Sequence, residues 1–275
     1  MPLSRHLPAT LVAAALLLAP AARGQSRRET QPLLLVPEAQ AELALRNGDY
    51  LLLALRGQRD TGLNRQDGRA LGFDERRLTL GYEHFWNEHW SWGGTLRGYS
   101  LGFDQYTLVP EVLLRHRGAV GPLTFGQRLG VERQLYIENR DGGPDRASEN
   151  WVRLRLDLEK VVSLGTLALR PRLSYEAATH LRLQKADTDP DERFIQYGLL
   201  RAEAGLRVSP RFDLTPWFAY QTIYTIALPQ TDGMGQVTIP GGNLNQVAPA
   251  VGLDLRLTIF PGGTEFERQQ LPTQH

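Results

Sequence analysis

Between Trp151 and Val161 the chain reads WVRLRLDLEKV, with Val152, Leu154, Leu156 and Leu158 on one parity and Arg153, Arg155, Asp157 and Glu159 on the other. Successive side chains of an extended chain point to opposite faces, so period-two sorting specifies a strand. A helix would place its apolar residues three and four apart. One face of this strand is purely aliphatic and the other carries full charges of both signs. Two environments accept that: a half-buried strand of a soluble sheet, or a membrane barrel strand with lipid outside and a polar lumen inside.

The pattern recurs ten times, over about 43–57, 75–86, 90–100, 105–117, 122–137, 150–162, 166–182, 194–208, 212–226 and 245–260. These segments run well past the usual ~5–6 residues of a soluble strand and exceed the ~9–11 that a tilted spanning strand needs. Tight turns at Asn87–His89, Gly118–Gly121, Ser163–Gly165 and Ser209–Arg211 alternate with mostly long connections at 58–74, 138–149, 183–193 and 227–244; only the link at Gly102–Asp104 breaks the alternation. Short turns at one rim and long loops at the other characterise outer-membrane barrels, which also have an even strand number. Trp86, Trp90, Trp92, Trp151, Trp217 and Tyr224 sit near strand ends, where amphipathic rings form belts at a membrane interface. The expectation is an all-β, transmembrane, antiparallel up-and-down β-barrel of about ten strands (twelve possible) spanning 43–260.

Export is expected as well. Arg5 and His6 precede the apolar run Leu11–Leu18, followed by small residues suited to cleavage, so 1–24 reads as a signal peptide. Residues 25–42 are then a periplasmic N-terminal segment and 261–275 a C-terminal tail. There is no cysteine, which excludes a disulfide framework. No later apolar run is long enough for a membrane helix. A net charge of +1 gives no reason to expect nucleic acid. Lys160 and Lys185 are the only lysines among 31 basic residues, and the planar guanidinium of arginine suits buried, bidentate carboxylate pairs. The partners expected are outer-membrane lipid, lipopolysaccharide and the barrel-assembly machinery, for a monomer without a cofactor.

The stretches LTLGYEHFWNEHWSWGGTLRGY (78–99), RPRLSYEAATHL (170–181) and LLRAEAGLRVSPRFDLTPWFAYQTIY (199–224) resemble the uncharacterised outer-membrane barrels grouped as domain of unknown function 2490. The resemblance covers about 43–260. It implies a barrel and supplies no catalytic residues. One departure lies in the last strand, where Phe260 is off parity with Leu253, Leu255 and Leu257 and is followed by Pro261–His275.

Candidate functional residues follow from the inward parity. Arg153, Arg155, Asp157, Glu159, Arg170, Arg172, Glu176, Arg201, Glu203 and Arg207 share it on three successive strands and form an expected charge network in the lumen. His180 has the same parity near a loop, where Asp187, Asp189 or Asp191 could make it a general base; the plainer reading is a histidine held within the charge network. The three aspartates alternate in ADTDPDE (186–192), but the glycine and distal glutamate of an EF-hand loop are missing, so they read as a solvated acidic loop. No serine lies in a recognisable nucleophile motif. Eight strands leave room for side chains only, whereas 16–18 enclose a pore. A plugged structural or interaction barrel therefore ranks first, a narrow channel for ions or small solutes second, and a surface hydrolase third.

Overall fold

Eleven antiparallel-connected strands curl into one sheet whose first and last members meet. The computed structural model describes residues 27–45, 48–63, 72–101, 105–137, 148–165, 167–182 and 192–263. The expected signal peptide, most of the C-terminal tail, and Asp187, Asp189 and Asp191 lie outside the described residues. In chain order the barrel strands are β1 (Leu34–Ala44), β2 (Tyr50–Asp60), β3 (Glu75–Phe85), β4 (Trp90–Leu101), β5 (Gln105–Val120), β6 (Leu123–Ile137), β7 (Glu149–Glu159), β8 (Leu167–His180), β9 (Tyr197–Ser209), β10 (Phe212–Ala227) and β11 (Gly242–Ile259). No helix occurs among the described residues.

The count is eleven where the alternation predicts ten. The stretch expected as one strand over 43–57 is instead a hairpin, turning at Gly48 with φ +91°, between β1 and β2. The segment 34–42, expected in the periplasm, is therefore sheet. Its outward row (Leu35, Pro37, Ala39, Ala41, Leu43) is only weakly apolar. Its alanines, glutamates and glutamine favour helix over strand, which hid the alternation.

An odd number of strands in an up-and-down order forces the closing pair to be parallel. Leu34–Leu43 of β1 accordingly pairs in parallel with Ala250–Ile259 of β11. Arg27–Thr30 continues along the same edge, beside Leu244–Val247. All other barrel pairs are antiparallel, with close connections such as the two residues between Val120 and Leu123, where Gly121 takes φ +58°.

The sheet is sorted inside out. Glu83, Glu111, Arg115, Glu159, Arg201 and Asp254 are buried within the barrel, Glu83 at 0% exposure. Leucines and valines of the opposite parity face outward, with Leu55 57% and Val112 67% exposed. Phe260 follows the inward parity of Asp254, Arg256 and Thr258, and is buried. That accounts for its being out of step with the outward leucines.

Candidate functional site

The interior chemistry follows from register. Opposite residues on neighbouring strands project to the same face a few ångströms apart; Arg172 thereby faces Glu159 and Glu203 directly, whereas Arg115, Arg128 and Arg155 stand abreast in one row and find carboxylates diagonally or past a strand. Near the rim of tight turns, Glu83 of β3 accepts from the Tyr50 hydroxyl (2.6 Å), the Ser91 hydroxyl (2.5 Å) and Nη1 of Arg115 (2.8 and 2.9 Å). Glu111 accepts from Thr95 (2.8 Å) and Arg128 (2.7 Å). Arg97 pairs with Glu132, and Arg153 bridges Glu132 (2.8 Å) to Glu176 (2.7 Å).

On the far wall Arg172 bridges Glu159 (2.7 Å) to Glu203 (2.9 Å), and Arg170 reaches Glu159 at 3.3 Å. Arg201 bridges Glu203 (2.6 Å) to Asp254 (2.7 Å). Its guanidinium lies 4.2 Å above the Trp217 ring, whose indole N–H donates to Asp254 at 2.8 Å. Glycine makes room for that ring. Gly252 pairs directly with Trp217, and a Cβ there would come within 2.2 Å of the indole and 2.5 Å of the Val36 carbonyl. The seam is tied by Arg256, which donates to Gln40 at 2.8 Å and lies 3.6 Å from Glu42.

All ten residues picked from the sequence as lumen charges have inward parity. Arg207 sits at the turn rim, partly exposed, 3.2 Å from Asp213. Arg155 is buried among Asp157, Glu203 and Glu176, yet its Nε and Nη2 make no hydrogen bond among the described residues. The remaining members came from elsewhere: Glu83, Arg97, Glu111, Arg115, Arg128, Glu132, Asp254 and Arg256 extend the network around the whole barrel. Their signal was the same parity on the other strands.

Of the six aromatics assigned to interface belts, Trp90, Trp92 and Tyr224 lie on the outer face and Trp86 is exposed in the turn after β3. The belt assignment needs correcting for two. Trp217 is buried in the lumen at 7% exposure. Trp151 also takes inward parity, donating to Glu149 (3.1 Å) and stacking on His180 with ring centroids 5.5 Å apart. His180 stands at the mouth of the loop rim, its Nδ1 3.2 Å from Glu192, which also takes Arg182 at 2.5 Å. The neighbouring Thr179 hydroxyl donates to the Phe194 carbonyl (2.5 Å). Among the described residues this arrangement holds the histidine in a charge cluster with Glu192 and Arg182. Among the described residues, no group of three or more His, Cys, Asp or Glu is placed to hold a metal ion.

The network does not fill the barrel evenly. Toward the loop rim it leaves a cavity of about 290 Å³, lined by Leu34, Val36, Val109, Leu199, Trp217 and Ala250 together with arginines, glutamates, glutamines and tyrosines. Nearer the turn rim only about 20 Å³ remains, among Glu38, Arg56, Arg97, Glu111 and Arg128. No protein-family model matches this chain, and a search of curated proteins finds no match to it.

Proposed function

We propose that the chain, although its eleven strands depart from the even number of bacterial single-chain barrels, is a bacterial outer-membrane β-barrel, a monomer with a filled lumen, that serves a structural or interaction role through its loop rim. One observation carries this: charges are sealed inside while long outward rows of leucine and valine remain uncovered. A protein bathed in water on both sides seldom leaves so large a continuous apolar surface exposed, whereas lipid covers it. The exposed Trp90 and Trp92 near the turn rim fit an interfacial belt, and the resemblance to the domain of unknown function 2490 barrels fits the same reading. With tight turns toward the periplasm, the loop rim and the start of β1 face outward, toward lipopolysaccharide.

Location is tested by fractionating cells that express the chain. It should be recovered with the outer membrane and migrate faster on a gel before boiling than after. Recovery in the soluble periplasmic fraction would overturn the proposal.

A narrow channel is the second reading, and the loop-rim cavity favours giving it a test. Paired guanidiniums block the path toward the turn rim, so the purified protein should show little or no conductance in a planar bilayer. The triple variant Arg155→Ala, Arg172→Ala, Glu203→Ala should open a measurable leak. Steady conductance of the wild type would promote the channel reading. Hydrolysis of lipid or peptide that disappeared in His180→Ala would displace both.

A further inference from the structure

The loop-rim cavity is lined by both apolar and charged side chains. In a lumen crossed by ion pairs, Leu34, Val36, Trp217, Ala219, Ala248 and Ala250 form the larger of two buried apolar clusters, with Leu199 packed against it. Water alone gives no reason for such a wall. Facing the same space, Arg56 and Arg77 are directly opposed across β2 and β3. Like charges in that position repel.

The surrounding carboxylates do not resolve the repulsion evenly. Five arginines and three glutamates line the cavity. Arg97 and Arg153 are paired with Glu132, and Arg201 with Glu203 and Asp254 just outside it. Glu75 takes Arg77 at 2.7 Å. Arg56 makes no side-chain hydrogen bond among the described residues; Glu38 and Glu75 attract it electrostatically. The Nε atoms of both Arg56 and Arg77 are buried without an acceptor. Arg77 is held in place over the Tyr99 ring, 5.4 Å from its centroid. Arg56, without a hydrogen-bonded carboxylate, stands beside Arg77, which Glu75 holds, and both line an open space that apolar side chains also line; such a space is complementary to a molecule with an anionic head and an apolar body.

The geometry points to a binding site for a small organic carboxylate, its head reaching Arg56 and Arg77 and its body lying on Leu34, Val36 and Leu199. Planar carboxylates match the fork of arginine donors, and the volume is that of a small-ligand pocket. The site goes beyond the structural role proposed above. It can be read in detergent solution, so its failure is distinguishable from failure of the location or the conductance experiment.

The test is calorimetric titration of the purified full-length protein with phenylacetate, with phenylacetamide and inorganic phosphate as comparison probes. Phenylacetate should bind saturably at one site, at least tenfold more tightly than either comparison. Arg56→Gln should weaken it at least tenfold while leaving heat-modifiability intact, because that side chain makes no hydrogen bond the fold needs. Leu199→Trp fills the apolar side and should abolish binding with both arginines in place, so the proposal stays testable if Arg56→Gln fails to fold. Absence of saturable phenylacetate binding, equal affinity for phenylacetamide, or full affinity in Leu199→Trp would each overturn the site. Phosphate binding as tightly as phenylacetate would reduce it to a simple anion site and overturn the amphiphile.

Discussion

Glu83→Ala should destabilise the folded barrel by about 3–5 kcal/mol, the usual consequence of leaving a buried charge without its partner. Glu83 is fully buried and is the acceptor for Tyr50, Ser91 and both contacts of Arg115 Nη1. Removing the carboxylate strands a guanidinium that is itself only 2% exposed. Removing Arg115 in the same molecule takes away the stranded charge, so the double variant should lose less than the sum of the two single variants. Urea-induced unfolding in detergent or lipid vesicles checks this, read by loss of the fast-migrating form. Single and double variants whose losses simply add would show that the two groups are not coupled.

The second large effect belongs to the outer face. Leu154 lies mid-strand on β7 and is 44% exposed, on the opposite face from Arg153 and Arg155. If that surface meets hydrocarbon, Leu154→Arg should cost about 2–4 kcal/mol near the bilayer midplane. Leu154→Ala should cost much less, because lipid repacks around a shortened side chain. On a water-facing surface the order would reverse, with arginine tolerated within about 0.5 kcal/mol. Refolding both variants into vesicles and comparing their unfolding midpoints separates the two cases.

How much of this was legible in the sequence depends on residue and rule. The alternation at 151–161 was plain because both rows are chemically pure, and the same purity exposed most other strands. β1 was missed because alanine, glutamate and proline blur the contrast between its rows. Nearness to a strand end misplaces Trp217, whereas its parity, shared with the buried Asp213 and Thr215, gives its true side. Parity also showed which charges face inward, but not which ones meet. In a barrel this narrow an arginine can reach past its neighbouring strand: Arg115 of β5 to Glu83 of β3, Arg97 of β4 to Glu132 of β6, Arg201 of β9 to Asp254 of β11. Such partnerships depend on curvature and side-chain reach, and these become visible only once the sheet is closed. The cavity belongs to the same class, since it forms where the arginine rows fail to meet the apolar wall.

The parallel pairing of β1 with β11 gives the molecule an order of events. Every other ladder joins strands consecutive in the chain and can zip outward from its own connection. The seam must instead bring Leu34 to Ala250. From the logarithmic growth of loop-closure entropy, uniting such distant ends costs about 3–4 kcal/mol more than closing a tight hairpin. Parallel hydrogen bonds are also slightly less stable per residue than antiparallel ones. The seam is therefore expected to form last, after the open sheet has laid down its other ten ladders, and the long-range contacts that seal it are side chains from both of its edges: Leu34 and Val36 in one apolar cluster with Ala250, and Gln40 and Glu42 held by Arg256. Until that moment the apolar wall of the cavity is incomplete, because Leu34 and Val36 arrive with the first strand while Leu199, Trp217, Ala219, Ala248 and Ala250 come with the last three.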